Sequence, residues 1–185
     1  MSAVAEALGP CPVVETPRLR LRPVGPADAE QVSALLADPG IARMLTRVPF
    51  PYTLEDAQEW LAHAGGEDRW PAAITQPADG VPIGLVSIER RQGGHHLGYW
   101  LSRYYWNRGF MSEAVSGLAE RFFDRSGGAT LHSGAFTDNP ASLKVLQRLG
   151  FQVTGLRETW SVSRGRMAQE VTTALTPALF RPYRF

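Results

Sequence analysis

The chain has 185 residues, 44% of them hydrophobic, and a formal net charge of +1. That is enough for one domain with a real core and too little for two comfortable ones. With only 20% charged residues in near balance, it lacks the clustered basic excess of nucleic-acid or anionic-membrane binders. The basic residues are 18 Arg and the single Lys144, a skew that reads as coding bias.

One cysteine, Cys11, excludes an internal disulfide. It lies between Pro10 and Pro12 in a stretch, residues 1–14, expected to be a loose extension, which makes it a poor nucleophile. No apolar run approaches the roughly 18 residues of a membrane span. The start, MSAVAEALGPCP, lacks the basic region of a signal peptide, so a cytoplasmic protein is expected.

In chain order, PRLRLRPV (17–24) alternates Leu and Arg with period two, a strand with one wet face. Gly25 and Pro26 open a helix whose apolar side is Val32, Leu35 and Leu36, with Pro39-Gly40 as its stop. In PFPYTLEDAQEWLAHAGG, Thr53 is a helix cap, Glu55 and Asp56 are first-turn acids, and Leu54, Ala57 and Leu61 face inward. Strands follow at WPAAITQ, PIGLVSIERR and HHLGYWLS, separated by turns at ADG and Gly93-Gly94. A helix over 112–125, a strand LHSGAFT (131–137), a helix NPASLKVLQRLGF (139–151) and two closing strands around Arg164-Gly165 complete the order. The passage 96–137 is the one expected parallel crossover; the remaining strands can pair as hairpins. This predicts an α/β domain with a mixed sheet.

The segment WNRGFMSEA joins the strand HHLGYWLS to a helix. A helix start near Ser112 presents unpaired N–H groups and a positive dipole end, and Gly109 upstream admits close approach to the backbone. Together these make a phosphate cradle, to which Arg108 can add a charge. The plainer alternative is a tight strand–helix connection that binds nothing. A P-loop ending and a three-glycine dinucleotide fingerprint are both absent. A second helix start follows the next strand, with Asn139 as cap and Pro140 at the first helical position. In a crossover unit both starts face one cleft.

These segments resemble a known family. TPRLRLRP, VPFPYTLEDAQEWL, LGYWLSRYYWNRGFMSEA and DNPASLKVLQRLGF are similar to the GNAT superfamily of acyl-CoA-dependent N-acyltransferases. Within it they resemble the RimJ/RimL group of ribosomal-protein N-terminal acetyltransferases, over about residues 15–175. The resemblance implies a single GNAT-like α/β domain spanning 1–185. Its sheet would be mixed, mostly antiparallel and splayed at a central parallel strand pair, with flanking helices. It also implies acetyl-CoA as cosubstrate and no metal. The pyrophosphate would sit on the amides of Arg108, Gly109, Phe110, Met111 and Ser112, and the pantetheine would run along Tyr99, Trp100 and Leu101. Asn139 would bond the pantetheine, and Lys144 would reach a phosphate or stay solvated. Met111 stands where the superfamily has a small residue. The superfamily's usual tyrosine acid is replaced by Leu146, but the RimJ/RimL group's serine is present as Ser142, a candidate to protonate the departing thiolate. A helix-start serine that only bonds backbone is the alternative.

The base is less legible. Glu89, His96 and Glu158 are candidates; Glu89 is equally readable as the wet last residue of its strand, and the strand register around Glu158 is ambiguous. His95 and His96 are adjacent on a strand and point oppositely, which argues against a two-His metal site. An α-amine of pKa about 7.8 is roughly one-seventh neutral at pH 7, and a lysine of pKa about 10.4 about once in 2,500. Lysine acetylation therefore asks for about 3.5 kcal/mol more help, and a chain without an obvious base fits an α-amine better. The expected activity is acetyl transfer by direct attack of a primary amine, most simply a protein or peptide N-terminus. A non-catalytic acyl-CoA-binding module, a small-molecule amine acceptor and another acyl-CoA are the alternatives. The many large aromatics, Trp60, Trp70, Trp160, Phe180, Tyr183 and Phe185 among them, raise the expectation of a homodimer if they do not fill the core.

Overall fold

The computed structural model describes residues 8–184. Eight strands form one sheet: β1 (Val14–Glu15), β2 (Arg20–Pro23), β3 (Arg69–Thr75), β4 (Pro82–Arg91), β5 (Gly94–Leu101), β6 (Leu131–Phe136), β7 (Gln152–Ser161) and β8 (Arg166–Leu175). Their spatial order is β1-β2-β3-β4-β5-β6-β8-β7. Among the described strands only β5 and β6 run parallel. The helices are α1 (Ala29–Leu36), α2 (Pro39–Ala42), α3 (Leu54–Ala62), α4 (Phe110–Arg125) and α5 (Pro140–Arg148).

The β4 strand is buried over most of its length because both faces of the sheet are covered. On one face α4 and α5 bring Leu118, Phe122 and Leu146 against Val86, Ile88, Leu97 and Trp70. On the other, α1 and α3 enclose a smaller cluster of Val32, Leu36, Tyr52, Ala57 and Leu61, with Trp100 packed against it. Strand alternation on β5 divides the work. Leu97, Tyr99 and Leu101 join the α4 side, whereas Trp100 joins the α1/α3 side.

The expected elements are present, with four differences. Pro39-Gly40 does not simply stop α1. The Asp38 carboxylate accepts from the Gly40 N–H at 2.8 Å and opens the short helix α2. β1 has only two residues, too short to leave a periodicity. Helix α4 starts at Phe110, two residues before the expected Ser112, because Gly109 adopts a left-handed conformation (φ 79°) at its cap. Finally, residues 1–7 of the expected loose extension lie outside the described residues, and from Leu8 on the chain is held. Leu8 is buried, Trp70 Nε1 donates to Gly9 O at 2.9 Å, and burial pushes the Cys11 thiol up to about 12 against the opposing charge of Arg125. Among the described residues no helix is long and apolar enough to cross a membrane.

Candidate active site

The β5–β6 ladder is brief. His95 pairs with Leu131 and His96 with His132, and then the strands part. The last link is Ser133 Oγ donating to Leu97 O at 3.1 Å. Past it, β5 residues have no partner on β6, and a cleft of about 850 Å³ opens between them. The starts of α4 and α5 lie at this cleft, as does the segment 40–46.

At α4, Glu113 N–H is the first amide to close the helix, onto Gly109 O at 3.1 Å, so the amides of Phe110, Met111 and Ser112 precede the ladder. An acid in this first turn would compete with any bound anion. Glu113 is instead saturated by Thr16 Oγ1 (2.7 Å), Arg18 N (2.9 Å) and Arg18 Nε (2.7 Å), which neutralise its charge locally. The positive helix end thus stays available to the cleft. Gly109 is required by its positive φ. An added Cβ would also press on the Tyr183 hydroxyl, which would have to shift, and come within 3.4 Å of Arg18. A Cβ at Gly109 would point toward Tyr183 and Arg18, while the residue itself lines the cleft. The Arg108 guanidinium lies over the Phe110 ring (4.9 Å) and Tyr105 ring (5.7 Å), and Arg108 does not line the cleft. Its expected direct charge is therefore not aimed there. Met111 is mostly absorbed by the core. Trp106 Nε1 donates to Leu101 O at 2.7 Å and pins the end of β5 to the loop.

At α5, the Asn139 carboxamide oxygen accepts from Ser142 N–H at 3.2 Å, the expected cap. Ser142 Oγ is 2.8 Å from Tyr99 Oη, and that phenol also donates to Ser142 O at 3.1 Å. A tyrosine hydroxyl thus reaches this helix start after all, from β5 rather than from position 146. Burial holds the Tyr99 phenol protonated, well above its ordinary pKa, against the opposing bond from Ser142. Lys144 and Arg148, one helical turn apart, line the rim. Tyr99, Trp100, Leu101, Gly109, Phe110, Met111, Ser112, Asn139, Ser142 and Lys144 are brought together around one cleft.

The base candidates fare differently. Glu158 pairs with Gln169, and its neighbour Arg157 lines the cleft while Glu158 is exposed and does not. The irregularity between Val153 and Gly155 sets this parity. Glu89 sits beside His96 but is bonded by Arg47 and by Arg91 Nε at 2.5 Å. Burial raises its pKa, yet Arg91 and Arg47 outweigh this and hold the carboxyl below its ordinary range, which disfavours proton uptake. His96 does line the cleft, 5.4 Å from the His132 ring. Burial first, then the charges of Arg91, His132 and Arg157, push it down to about 4 against Glu89, so it is neutral at pH 7. His95 points away, its ring 5.0 Å from Phe122.

Three parts of the site were not foreseen. The cleft wall contains Glu170, bonded by Arg157 Nε at 2.6 Å. His132 joins His96 on the same wall. The segment 41–46 is tied to the β7–β8 hairpin by Val162 N–H to Thr46 O (3.0 Å) and Ser163 Oγ to Ala42 O (3.0 Å). Arg164, nearly buried, links Arg43 O (2.7 Å) to both Asp138 oxygens (3.0 Å each). A sequence signal existed for Glu170: it alternates with Ala168 and Thr172 on a strand, an acid at an inward position.

The sequence model of the Acetyltransferase (GNAT) domain family matches residues 18–152. The chain belongs to this family, and it is an acetyltransferase. It is 26% identical over 159 residues to the uncharacterized N-acetyltransferase p20 of Bacillus licheniformis, covering 82% of this chain and 89% of that one. Among solved structures it is similar to RimL, a ribosomal L7/L12 α-N-protein acetyltransferase in complex with coenzyme A. There the TM-score is 0.77 and the identity 16%, over 89% of this chain and 98% of that one. It is also similar to the microcin C7 self-immunity acetyltransferase MccE in complex with acetyl-CoA and AMP. That match has TM-score 0.75 and 16% identity, over 87% and 93% of the two chains. At these identities the structural matches establish the fold.

Proposed function

We propose that the protein is a cytoplasmic enzyme that transfers the acetyl group of acetyl-CoA to a primary amine, the α-amine of a protein or peptide N-terminus. The observation that carries this reading is the convergence of two helix starts on the gap where β5 and β6 part. In this reading the pyrophosphate rests on the amides from Arg108 to Ser112, with Gly109, Phe110 and Met111 between them. The pantetheine follows Tyr99, Trp100 and Leu101, where released backbone N–H groups of β5 can hold the thioester oxyanion. Asn139 borders the pantetheine, and Lys144 and Arg148 offer charge at the rim.

Ser142 supplies the proton to the departing thiolate, with Tyr99 hydrogen-bonded behind it. A thiol of ordinary pKa about 8.5 is already a fair leaving group, so this assistance is modest. The reading needs no metal. The RimL match supports an N-terminal acceptor only as an analogy of fold.

The test is thiol release by purified protein with acetyl-CoA against N-terminal peptides and small amines, with propionyl- and succinyl-CoA as comparisons. Release with acetyl-CoA and α-amine peptides is expected. Release only with small amines would move the acceptor class, and CoA binding without release to any amine would leave a binding module.

A further inference from the structure

Three carboxylates are buried among the described residues: Asp28, Glu113 and Glu170. Two are part of the architecture. Asp28 accepts from both terminal nitrogens of Arg22 and from Gly25 N–H, and Glu113 is saturated by Thr16 and Arg18. Glu170 is different. Its side chain is 9% exposed, it lines the cleft, and only one of its oxygens is engaged, Oε2 by Arg157 Nε at 2.6 Å. Oε1 has no hydrogen-bond partner among the described residues. Oε1 is thus an acceptor left open to the cleft, where a ligand donor can reach it.

The position of that oxygen identifies the donor. The carboxylate lies over Gly134. A Cβ there would collide with Oε1 and come within 2.9 Å of Glu170 Cδ and 3.0 Å of Val171 O. Gly134 is two residues past His132, the last ladder partner of β5, so Oε1 faces the gap where the strands part. The gap is walled on this face by His96 and His132. His96 is neutral at pH 7, and the Arg91 guanidinium is committed to Glu89. A ligand in the cleft can supply a donor to Oε1, and the group that best complements a carboxylate there is a cation with N–H bonds.

We propose that Glu170 receives the ammonium group of the acceptor, with Arg157 holding the carboxylate by its other oxygen. This rests on the acetyl-transfer reading and names the acceptor as a primary amine bound in its cationic form. The ammonium gives one proton to Oε1, which passes it to solvent along the open cleft. The freed lone pair forms the C–N bond to the thioester carbon, and the C–S bond breaks. The second proton lost by nitrogen balances the thiolate, which leaves as the thiol. The less basic the amine, the smaller the cost of the first transfer, so α-amines are favoured over lysine.

Two CoA thioethers test this without knowing the acceptor: S-(2-aminoethyl)-CoA, whose ammonium reaches just beyond the sulfur, and S-propyl-CoA, of similar size and uncharged. Calorimetric titration of the wild-type protein should show the aminoethyl compound binding about tenfold tighter, the scale of one charged hydrogen bond. Glu170→Gln should lose that preference while keeping its affinity for the propyl compound, which also shows that the variant is folded. If it does not fold, Glu170→Asp, with its carboxylate drawn back, should show a reduced preference. Equal, tight binding of both compounds to the wild type overturns the assignment of Glu170 and leaves the CoA cleft intact, as does a preference that survives the substitution. Binding of neither compound overturns the CoA reading and this inference with it.

Discussion

Ser142→Ala removes one hydroxyl and little else. The backbone of Ser142 keeps both of its roles: its N–H still reaches Asn139 Oδ1 (3.2 Å), and its carbonyl still accepts from Tyr99 Oη (3.1 Å). What is lost is the 2.8 Å bond between Ser142 Oγ and Tyr99 Oη. Because the phenol retains a partner, the stability cost should stay within about 0.5–1.5 kcal/mol, the ordinary net value of one hydrogen bond. Acetyl-CoA affinity should be nearly unchanged. General acid assistance is typically worth about 10²–10⁴-fold, and a good thiol leaving group places the expected loss in the transfer step at or below about 10²-fold. Single-turnover acetyl transfer at saturating acetyl-CoA reads that step directly. An unchanged chemical rate, once transfer is shown to limit turnover, would refute the role of Ser142 and leave Tyr99 or solvent as the proton source.

Three further outcomes are expected. Gly109→Ala forces a side chain into a φ of 79° and against the Tyr183 hydroxyl, so it should cost about 1–3 kcal/mol in urea unfolding and weaken the rise in Tm given by CoA; wild-type stability and CoA response would contradict the cradle geometry. His96 is held at about 4 in the native protein against about 6.5 unfolded, so the unfolded chain binds a proton that the native chain does not between those values. Its contribution is therefore present above pH 6.5 and lost as pH falls toward 4; His96→Asn should flatten the fall in urea midpoint across that range, and identical pH slopes would count against the burial of His96. A homodimer is expected in sedimentation at tens of micromolar, through the exposed strip of Leu156, Trp160 and Met167 on the outer face of β7–β8; a lone 20.3 kDa species would remove it.

The β5–α4–β6–α5 passage was legible because each signal in it is local. Helical spacing in Ala114, Leu118 and Phe122, Asn139 before Pro140, and one glycine at a strand–helix joint are all written within a few residues of what they specify. The acceptor side was not legible, because it depends on strand parity and distant partners. One irregularity at Val153/Gly155 decides whether Arg157 or Glu158 faces the cleft. Glu89 looked available until Arg47, 42 residues earlier, closed on it. The Tyr99–Ser142 pair spans 43 residues, and only the split sheet brings the two hydroxyls together. Even Gly109 had a second reason, the Tyr183 hydroxyl from the C-terminal segment, that no local pattern announces.

The most direct test is a crystal structure with bound CoA. The pyrophosphate should lie on the amides of Phe110, Met111 and Ser112, and the sulfur should lie within hydrogen-bond reach of Ser142 Oγ, on the side of the gap opposite Glu170. CoA bound away from the two helix starts, or with its sulfur remote from both Ser142 and the parting of β5 and β6, would contradict the assignment of this cleft as the acetyl-transfer site.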